Sequence, residues 1–439
     1  MHLKELNFKS LLTIIFKNDL AKSTGVYALA NILNGAIPFL VIPILTTHLS
    51  PLDYGIVAMF YISCNILNPF IGVSTVGFVQ IKYFESDINE LKKYIGNCFY
   101  IFFSSIVILF IVIIVFQNFF SRVTTIPYEW IWTIFCYSIC NYVSQIVMVL
   151  WQVRKQSISY AAFQVLQTIL NISLTIFFVV YLKYNWQGRI GAIVITSLLF
   201  AFIAFFILLR RNEISFKFDL KFVFEALKFG IPIIPHTLGG VLIGMADRFL
   251  LTNIVGVEET GIYSLATQLG MIIYFLTTSF NNAYSPWLFM KLNENNLSSK
   301  IKIVKFTYLY FISLPLVGVI YLFGIHFLLH YFVGENFLSS ERYLVWLIIG
   351  NIFQGMYFMV TNYIIFLKKT HILAIVTAFT AIFNIVLNYL LITSIGSVGA
   401  AITFAISWFL FFVITWILSA SLYKMPWFSL NILSKHDDK

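Results

Sequence analysis

Apolar runs of roughly 20 residues, each long enough to cross a hydrocarbon core of about 30 Å, recur from one end of this chain to the other. Twelve such runs can be drawn, at 24–47, 54–79, 94–117, 127–150, 157–182, 189–209, 230–255, 261–288, 303–327, 343–366, 372–393 and 398–420. Only 10% of the residues are charged and 60% are hydrophobic, against about 25% charged in a soluble domain, so soluble folding is excluded. Barrel-type alternation is absent, which leaves helices to satisfy backbone groups in lipid. The expected fold class is therefore all-α, a polytopic membrane protein of about twelve transmembrane helices. Near the start, "LLTIIF" is too short to be the core of a signal peptide. Phe8, Leu12, Ile15 and Phe16 instead predict an amphipathic segment, residues 1–22, lying on the membrane surface.

Lysine and arginine fall almost entirely on one side of these spans. The N-terminal tail, alternate loops and C-terminal tail hold 23, the intervening loops hold 4, and Arg248 alone falls within a span. The positive-inside rule then predicts both termini in the cytoplasm. The net charge of +10 forms a collar facing anionic lipid rather than a nucleic-acid surface. Cys64, Cys98, Cys136 and Cys140 all lie in predicted spans and offer neither a disulfide framework nor metal-type spacing.

The second half of the chain echoes the first. "LSPLDYGIVAMF" at 49–60 aligns with "VGVEETGIYSLA" at 255–266, and a shift of 206 residues superposes Gly55 on Gly261 and Asp53 on Glu259. Later in each half Asn171 corresponds to Asn384, Gly191 to Gly399, and Arg154-Lys155 to Lys368-Lys369. Six spans per repeat is an even number, so both repeats run in the same direction and predict two lobes related by an axis along the membrane normal. The expected organisation is an N-terminal lobe at 23–209, a basic cytoplasmic linker at 210–228, a C-terminal lobe at 229–421 and a tail at 422–439. At "SPLD", Ser50 is placed to cap the second helix, Pro51 suits its first position and Asp53 complements its dipole.

Sequence signatures of enzymes are missing: there is no phosphate-binding G-x-x-x-x-G-K-[ST], no H-E-x-x-H and no Cys/His cluster. The chain is read as a non-enzyme without a cofactor. Short outer loops and an internal repeat are the architecture of a secondary transporter, whose site lies near the midplane. Polar residues make stripes at helical spacing. Asn31, Asn34, Gly35 and Pro38 form one, and Asn65, Asn68, Pro69 and Gly72 a second. A third comprises Thr267, Met271, Tyr274, Thr278, Asn281 and Ser285. The 206-residue shift maps the second stripe onto the third, which predicts the walls of a water-accessible cavity shared by the lobes. Interhelical hydrogen bonding is the alternative for any single member.

Asp247 and Arg248 stand side by side in the seventh span. Adjacent helix residues point about 100° apart and do not face each other, so each needs its own partner, an intramembrane charge costing about 2.5–3.5 kcal/mol even on the mild insertion scale. Arg248 maps onto Ile42, continuing the first stripe, and is expected to face the cavity; snorkelling to the outer interface is its alternative. Asp247 is too short to snorkel and is expected to pair with a neighbouring helix or to titrate together with His236. His326 and His330 lie at i, i+4 near an outer helix end and lack further metal ligands.

"YALANILNGAIPFLVIPILTTHLSPLDYGI" and "ADRFLLTNIVGVEETGIYSLATQLG" resemble the hallmark segments of polysaccharide-biosynthesis exporters. These are the Wzx-type O-antigen or capsular repeat-unit flippases of the multidrug/oligosaccharidyl-lipid/polysaccharide (MOP) exporter superfamily. The resemblance covers essentially the whole chain. It implies a protein of the bacterial inner membrane that moves an undecaprenyl-diphosphate-linked oligosaccharide from the cytoplasmic to the periplasmic leaflet. It further implies alternating access, and as partners a polysaccharide polymerase and a chain-length regulator. Under that resemblance Arg248 meets the diphosphate, while Asn31, Asn34, Asn65, Asn68, Tyr274, Thr278 and Asn281 suit sugar hydroxyls. Asp247 or His236 would be the titrating group of an ion-coupled cycle. A peptidoglycan-precursor flippase and a cation-coupled drug exporter are alternatives on the same fold, and a membrane-embedded glycan polymerase is one of another class.

Overall fold

The computed structural model describes residues 26, 33–35, 37, 39–294, 296–367 and 369–427; at 236, 243, 370 and 371 the backbone alone is described. All regular structure among the described residues is helical. We number the helices α1 (Ile42–His48), α2 (Pro51–Leu67), α3 (Val76–Glu85), α4 (Ile88–Thr124), α5 (Ile131–Val153), α6 (Ser157–Ile176) and α7 (Asn185–Arg210). There follow α8 (Leu220–Ile254), α9 (Val257–Asn293), α10 (Leu297–Phe332), α11 (Glu341–Phe366), α12 (Thr370–Ile395) and α13 (Val398–Leu422). Nine helices among the described residues are long and apolar enough to span a bilayer, or eleven when two broken helices each count as one span. The predicted surface segment 1–22, and residues 24, 25, 27–32, 36 and 38 of the first predicted span, lie outside the described residues.

The chain divides into two compact units, residues 1–241 and 242–439. In the first, α7 packs along α5 and α6, while α2 and α3 lie against α5. Aromatic rings fill the interior, among them Phe99, Phe102 and Tyr142 from α4 and α5. In the second, α11 is central, in contact with α9, α10 and α13, and α12 packs on α13. In lipid the drive for this association is close packing and interhelical hydrogen bonding rather than the hydrophobic effect.

The division falls inside α8, after the basic segment at 210–228. That segment is fastened to the first unit. Both Arg154 guanidinium nitrogens bind the Glu213 carboxylate, one of them at 2.7 Å. The Ser215 N–H donates to the Lys92 carbonyl at 3.0 Å, Tyr100 Oη donates to the Phe216 carbonyl at 2.9 Å, and Asn97 Nδ2 donates to the Lys217 carbonyl at 3.1 Å. Holding the Glu213 carboxylate on the guanidinium keeps the Arg154 pKa above its ordinary value.

The start of α2 is closed as its sequence predicts. Ser50 Oγ accepts from the Asp53 N–H at 3.1 Å and the Asp53 carboxylate accepts from the Ser50 N–H at 2.9 Å. This is a reciprocal capping box with Pro51 in the first turn.

The second predicted span, 54–79, is not one helix. It breaks between α2 and α3, which are bent by 60°. Three successive residues, Gly72, Val73 and Ser74, take the left-handed conformation with φ of 64°, 51° and 53°, a region that a β-branched residue such as Val73 adopts only under constraint. The constraint is visible. Gly72 N–H donates to Ser105 Oγ at 2.9 Å and Thr75 Oγ1 donates to the Gly72 carbonyl at 2.6 Å. A Cβ on Gly72 would stand 2.1 Å from the Tyr142 ring, and one on Gly230 of α8 would stand 2.0 Å from the Val73 carbonyl oxygen. The corresponding stretch of the second unit, 274–281, is continuous helix within α9. The internal repeat therefore diverges at the middle of its matched polar stripes.

Candidate functional site: polar cavities in the membrane-spanning bundle

The break in the α2–α3 span turns polar groups into the first unit. One cavity, of about 300 Å³, lies against it and is lined by Asn65, Asn68, Ser74, Ser138, Asn141 and Gln145 among others. Asn65 Nδ2 donates to the Tyr61 carbonyl one turn back at 2.8 Å, as interior amides of helices commonly do. Asn68 Oδ1 and Ser138 Oγ are buried without a hydrogen-bond partner, a state that a buried oxygen sustains only where another polar group can meet it.

A second cavity, of about 340 Å³, shares Asn141 with the first and is walled by α2, α5, α6 and α7. Asn34 lines it, its side-chain oxygen accepting from the Thr168 hydroxyl. Among the described residues that line it, Arg189 alone is charged. By sequence Arg189 opens the predicted span 189–209. In the structure it lies in the first turns of α7, half-buried, with its guanidinium turned inward. Nη1 donates to Asn171 Oδ1 at 2.7 Å and to Thr175 Oγ1 at 2.6 Å, and Nη2 donates to Tyr61 Oη at 3.2 Å. The traceable sequence signal was the i, i+4 pair Asn171 and Thr175 on one face of α6; nothing local joins that pair to Arg189.

In the second unit, Tyr274, Thr278, Asn281 and Ser285 succeed one another along α9. Thr278 gives its hydroxyl to the Tyr274 carbonyl, and the Tyr274 ring stands 6.4 Å from that of Phe358. Asn281 Oδ1 accepts from Asn362 Nδ2 of α11 at 2.9 Å, and Ser285 Oγ donates to Asn362 Oδ1 at 3.2 Å. This end of the stripe is thus tied to its neighbour helix by hydrogen bonds.

Asp247 and Arg248 make no ion pair. Asp247 is buried, with Oδ2 accepting from Tyr263 Oη of α9 at 2.6 Å and Oδ1 accepting from the Arg248 backbone N–H at 2.8 Å. Arg248 is half-buried, and its Nε is enclosed without a hydrogen-bond partner. Asn31 lies outside the described residues, as does the side chain of His236, whose backbone is part of α8. His326 pairs with Glu341 on an exposed face. No group of three or more His, Cys, Asp or Glu among the described residues could hold a metal ion.

Comparison with known proteins fits this picture of a helical bundle with polar cavities. A family model described as polysaccharide biosynthesis protein matches residues 20–292, and one described as MatE matches 232–390. A membrane protein of Haemophilus influenzae is 24% identical over 361 residues, covering 80% of this chain and 85% of its own. The Lsg locus putative protein 1 of the same organism is 24% identical over 228 residues, 51% of this chain and 56% of its own. Among solved structures, the lipid II flippase MurJ in an inward closed conformation superposes with a TM-score of 0.71 at 15% identity, over 90% of this chain and 87% of that one. An inward-facing multidrug resistance MATE family transporter of the MOP superfamily superposes with a TM-score of 0.68 at 13% identity, over 90% and 94%. With a family model matching more than half its length, the chain belongs to the polysaccharide biosynthesis protein family, and along nine-tenths of its length it shares the fold of these two solved membrane proteins.

Proposed function

We propose that this protein is a flippase that carries undecaprenyl-diphosphate-linked oligosaccharide repeat units from the cytoplasmic to the periplasmic leaflet of a bacterial inner membrane. It does so by alternating access, in the assembly of O-antigen, capsule or a related surface polysaccharide. The observation that supports this most is the chemistry of the first unit's cavities. They are lined by side-chain amides and hydroxyls, several with a buried oxygen or nitrogen awaiting a partner. Such groups match the dense donor and acceptor pattern of sugar hydroxyls, whereas an apolar cation would leave them unpaired. Arg248, with an enclosed and unpartnered Nε, is the proposed contact for the diphosphate through a charge-assisted hydrogen bond. With no nucleotide-binding motif in the sequence, an ion gradient or substrate flux supplies the energy. The polymerase and chain-length regulator of the same glycan act on what this protein delivers.

Deleting the gene should abolish the surface glycan and leave lipid-linked repeat units trapped in the cytoplasmic leaflet, with peptidoglycan synthesis intact. Restoration by the wild-type gene supports the reading. Accumulation of lipid-linked peptidoglycan precursor, with normal surface glycan, would replace the substrate with lipid II.

A further inference from the structure

Arg189, like Arg248 of the second unit, lacks the carboxylate partner that the ion-paired cations have. Arg154 is held by Glu213, Arg342 by Glu259, and Lys82 by Glu85 and Glu225. All three acceptors on Arg189 are neutral: an amide oxygen and two hydroxyls. Among the described residues no carboxylate lies within ion-pair distance of it. A guanidinium carries five N–H donors, and three are used, so two remain. The cavity they serve also contains the enclosed, unpartnered Asn34 Nδ2, Gln164 Oε1 and Thr196 Oγ1. A full positive charge with spare donors, beside further buried donors and acceptors, suits a ligand with one oxyanion on a polyhydroxylated body.

We propose that this cavity is a subsite for a carboxylate-bearing sugar of the lipid-linked repeat unit, the acid bound by Arg189 and the ring hydroxyls by Asn34, Gln164 and Thr196. The proposal rests on the flippase reading and adds the chemical class of the cargo. Charge balance selects a sugar acid over the diphosphate of the carrier. One cation matches one carboxylate, whereas a diphosphate would leave at least one further negative charge uncompensated in a low-dielectric pocket. The volume, about 340 Å³, lies in the lower part of the range for small-ligand sites. Asn171, Thr175 and Tyr61 are positioning residues: they hold the guanidinium with its remaining donors available.

The test uses the full-length protein in lipid nanodiscs, titrated with glucuronate, glucose or inorganic pyrophosphate at matched ionic strength and followed by thermal unfolding. Glucuronate should raise the unfolding temperature saturably and glucose should not. Arg189→Gln should weaken glucuronate binding by about tenfold or more, as expected for loss of a charge-assisted pair. Gln164→Glu, which keeps the side-chain shape but places a carboxylate in the cavity, should do the same, and it decides the matter if Arg189→Gln does not fold. Equal shifts with glucose, or glucuronate binding undiminished in folded variants, would overturn the subsite. Pyrophosphate binding that is lost in Arg189→Gln would reassign it to the carrier's headgroup. A cellular arm separates this proposal from the flippase reading. In the deletion strain, wild type should restore a glycan containing a sugar acid and Arg189→Gln should not. Full restoration by the variant, or a glycan lacking acidic sugars, overturns the subsite alone; failure of wild type to restore any glycan strikes the flippase reading itself.

Discussion

Gly72→Ala should destabilise the first unit by about 3 kcal/mol, the sum of a left-handed non-glycine residue at about 1–2 kcal/mol and overpacking at about 1–3 kcal/mol. The added Cβ would lie 2.1 Å from the Tyr142 ring. That ring cannot withdraw: it is stacked on Phe102 at 4.5 Å, and its hydroxyl shares a 2.8 Å hydrogen bond with Thr75 Oγ1. Moving it would dismantle both sides of the α2–α3 break and the wall of the smaller cavity together. Gly77→Ala is the control, since its new Cβ would meet nothing closer than 3.6 Å; in the first turn of α3 it should be neutral or slightly stabilising. Unfolding of the two variants in detergent, monitored by circular dichroism, checks the difference. Similar stability of both would show that the break is not fixed as described.

Asp247→Ala should cost about 2–3 kcal/mol, and for a reason separable from transport. The substitution leaves the Tyr263 hydroxyl, on a residue wholly enclosed in the second unit, without the carboxylate oxygen 2.6 Å away, and an orphaned buried donor carries its full desolvation penalty. Tyr263 also stands edge-on to Tyr343 at 5.3 Å, and Tyr343 Oη in turn donates to the Glu259 carboxylate and shares a 2.8 Å hydrogen bond with Ser397 Oγ. The disturbance therefore has a route toward the start of α9. Adding Tyr263→Phe to Asp247→Ala should recover about 1 kcal/mol, the coupling expected of residues in direct contact. Asp247→Asn keeps an oxygen for Tyr263 and should retain both fold and glycan export. A folded Asn variant that fails to export would instead make Asp247 the titrating group of ion coupling.

The parts of this molecule that were legible in sequence are those set by local chemistry. Span length and composition give the helices, and Ser50, Pro51 and Asp53 give the start of α2. The i to i+1 geometry of Asp247 and Arg248 rules out their pairing. The α2–α3 break is not legible in the hydrophobic pattern, which reads across it, and the 206-residue shift lays Gly72 on Thr278 within an unbroken helix. The Asn68-Pro69 dipeptide followed by Gly72 is the one local turn signal there. Arg189 opens the predicted span 189–209, but nothing local marks its role, because its guanidinium partners lie 14, 18 and 128 residues away in the chain. The docking of 210–228 likewise depends on Arg154, Asn97 and Tyr100, which no local pattern connects to it.

Translocation by the purified protein tests the central claim most directly. Proteoliposomes would carry a fluorescent undecaprenyl-diphosphate oligosaccharide in both leaflets, and a membrane-impermeant reductant would be added outside. Protein-free vesicles should protect the inner-leaflet half of the fluorescence. Vesicles with wild-type protein should lose that protection, and vesicles with destabilised Gly72→Ala should keep it. Protection unchanged by wild-type protein, with an imposed proton or sodium gradient present as well as absent, would contradict the account.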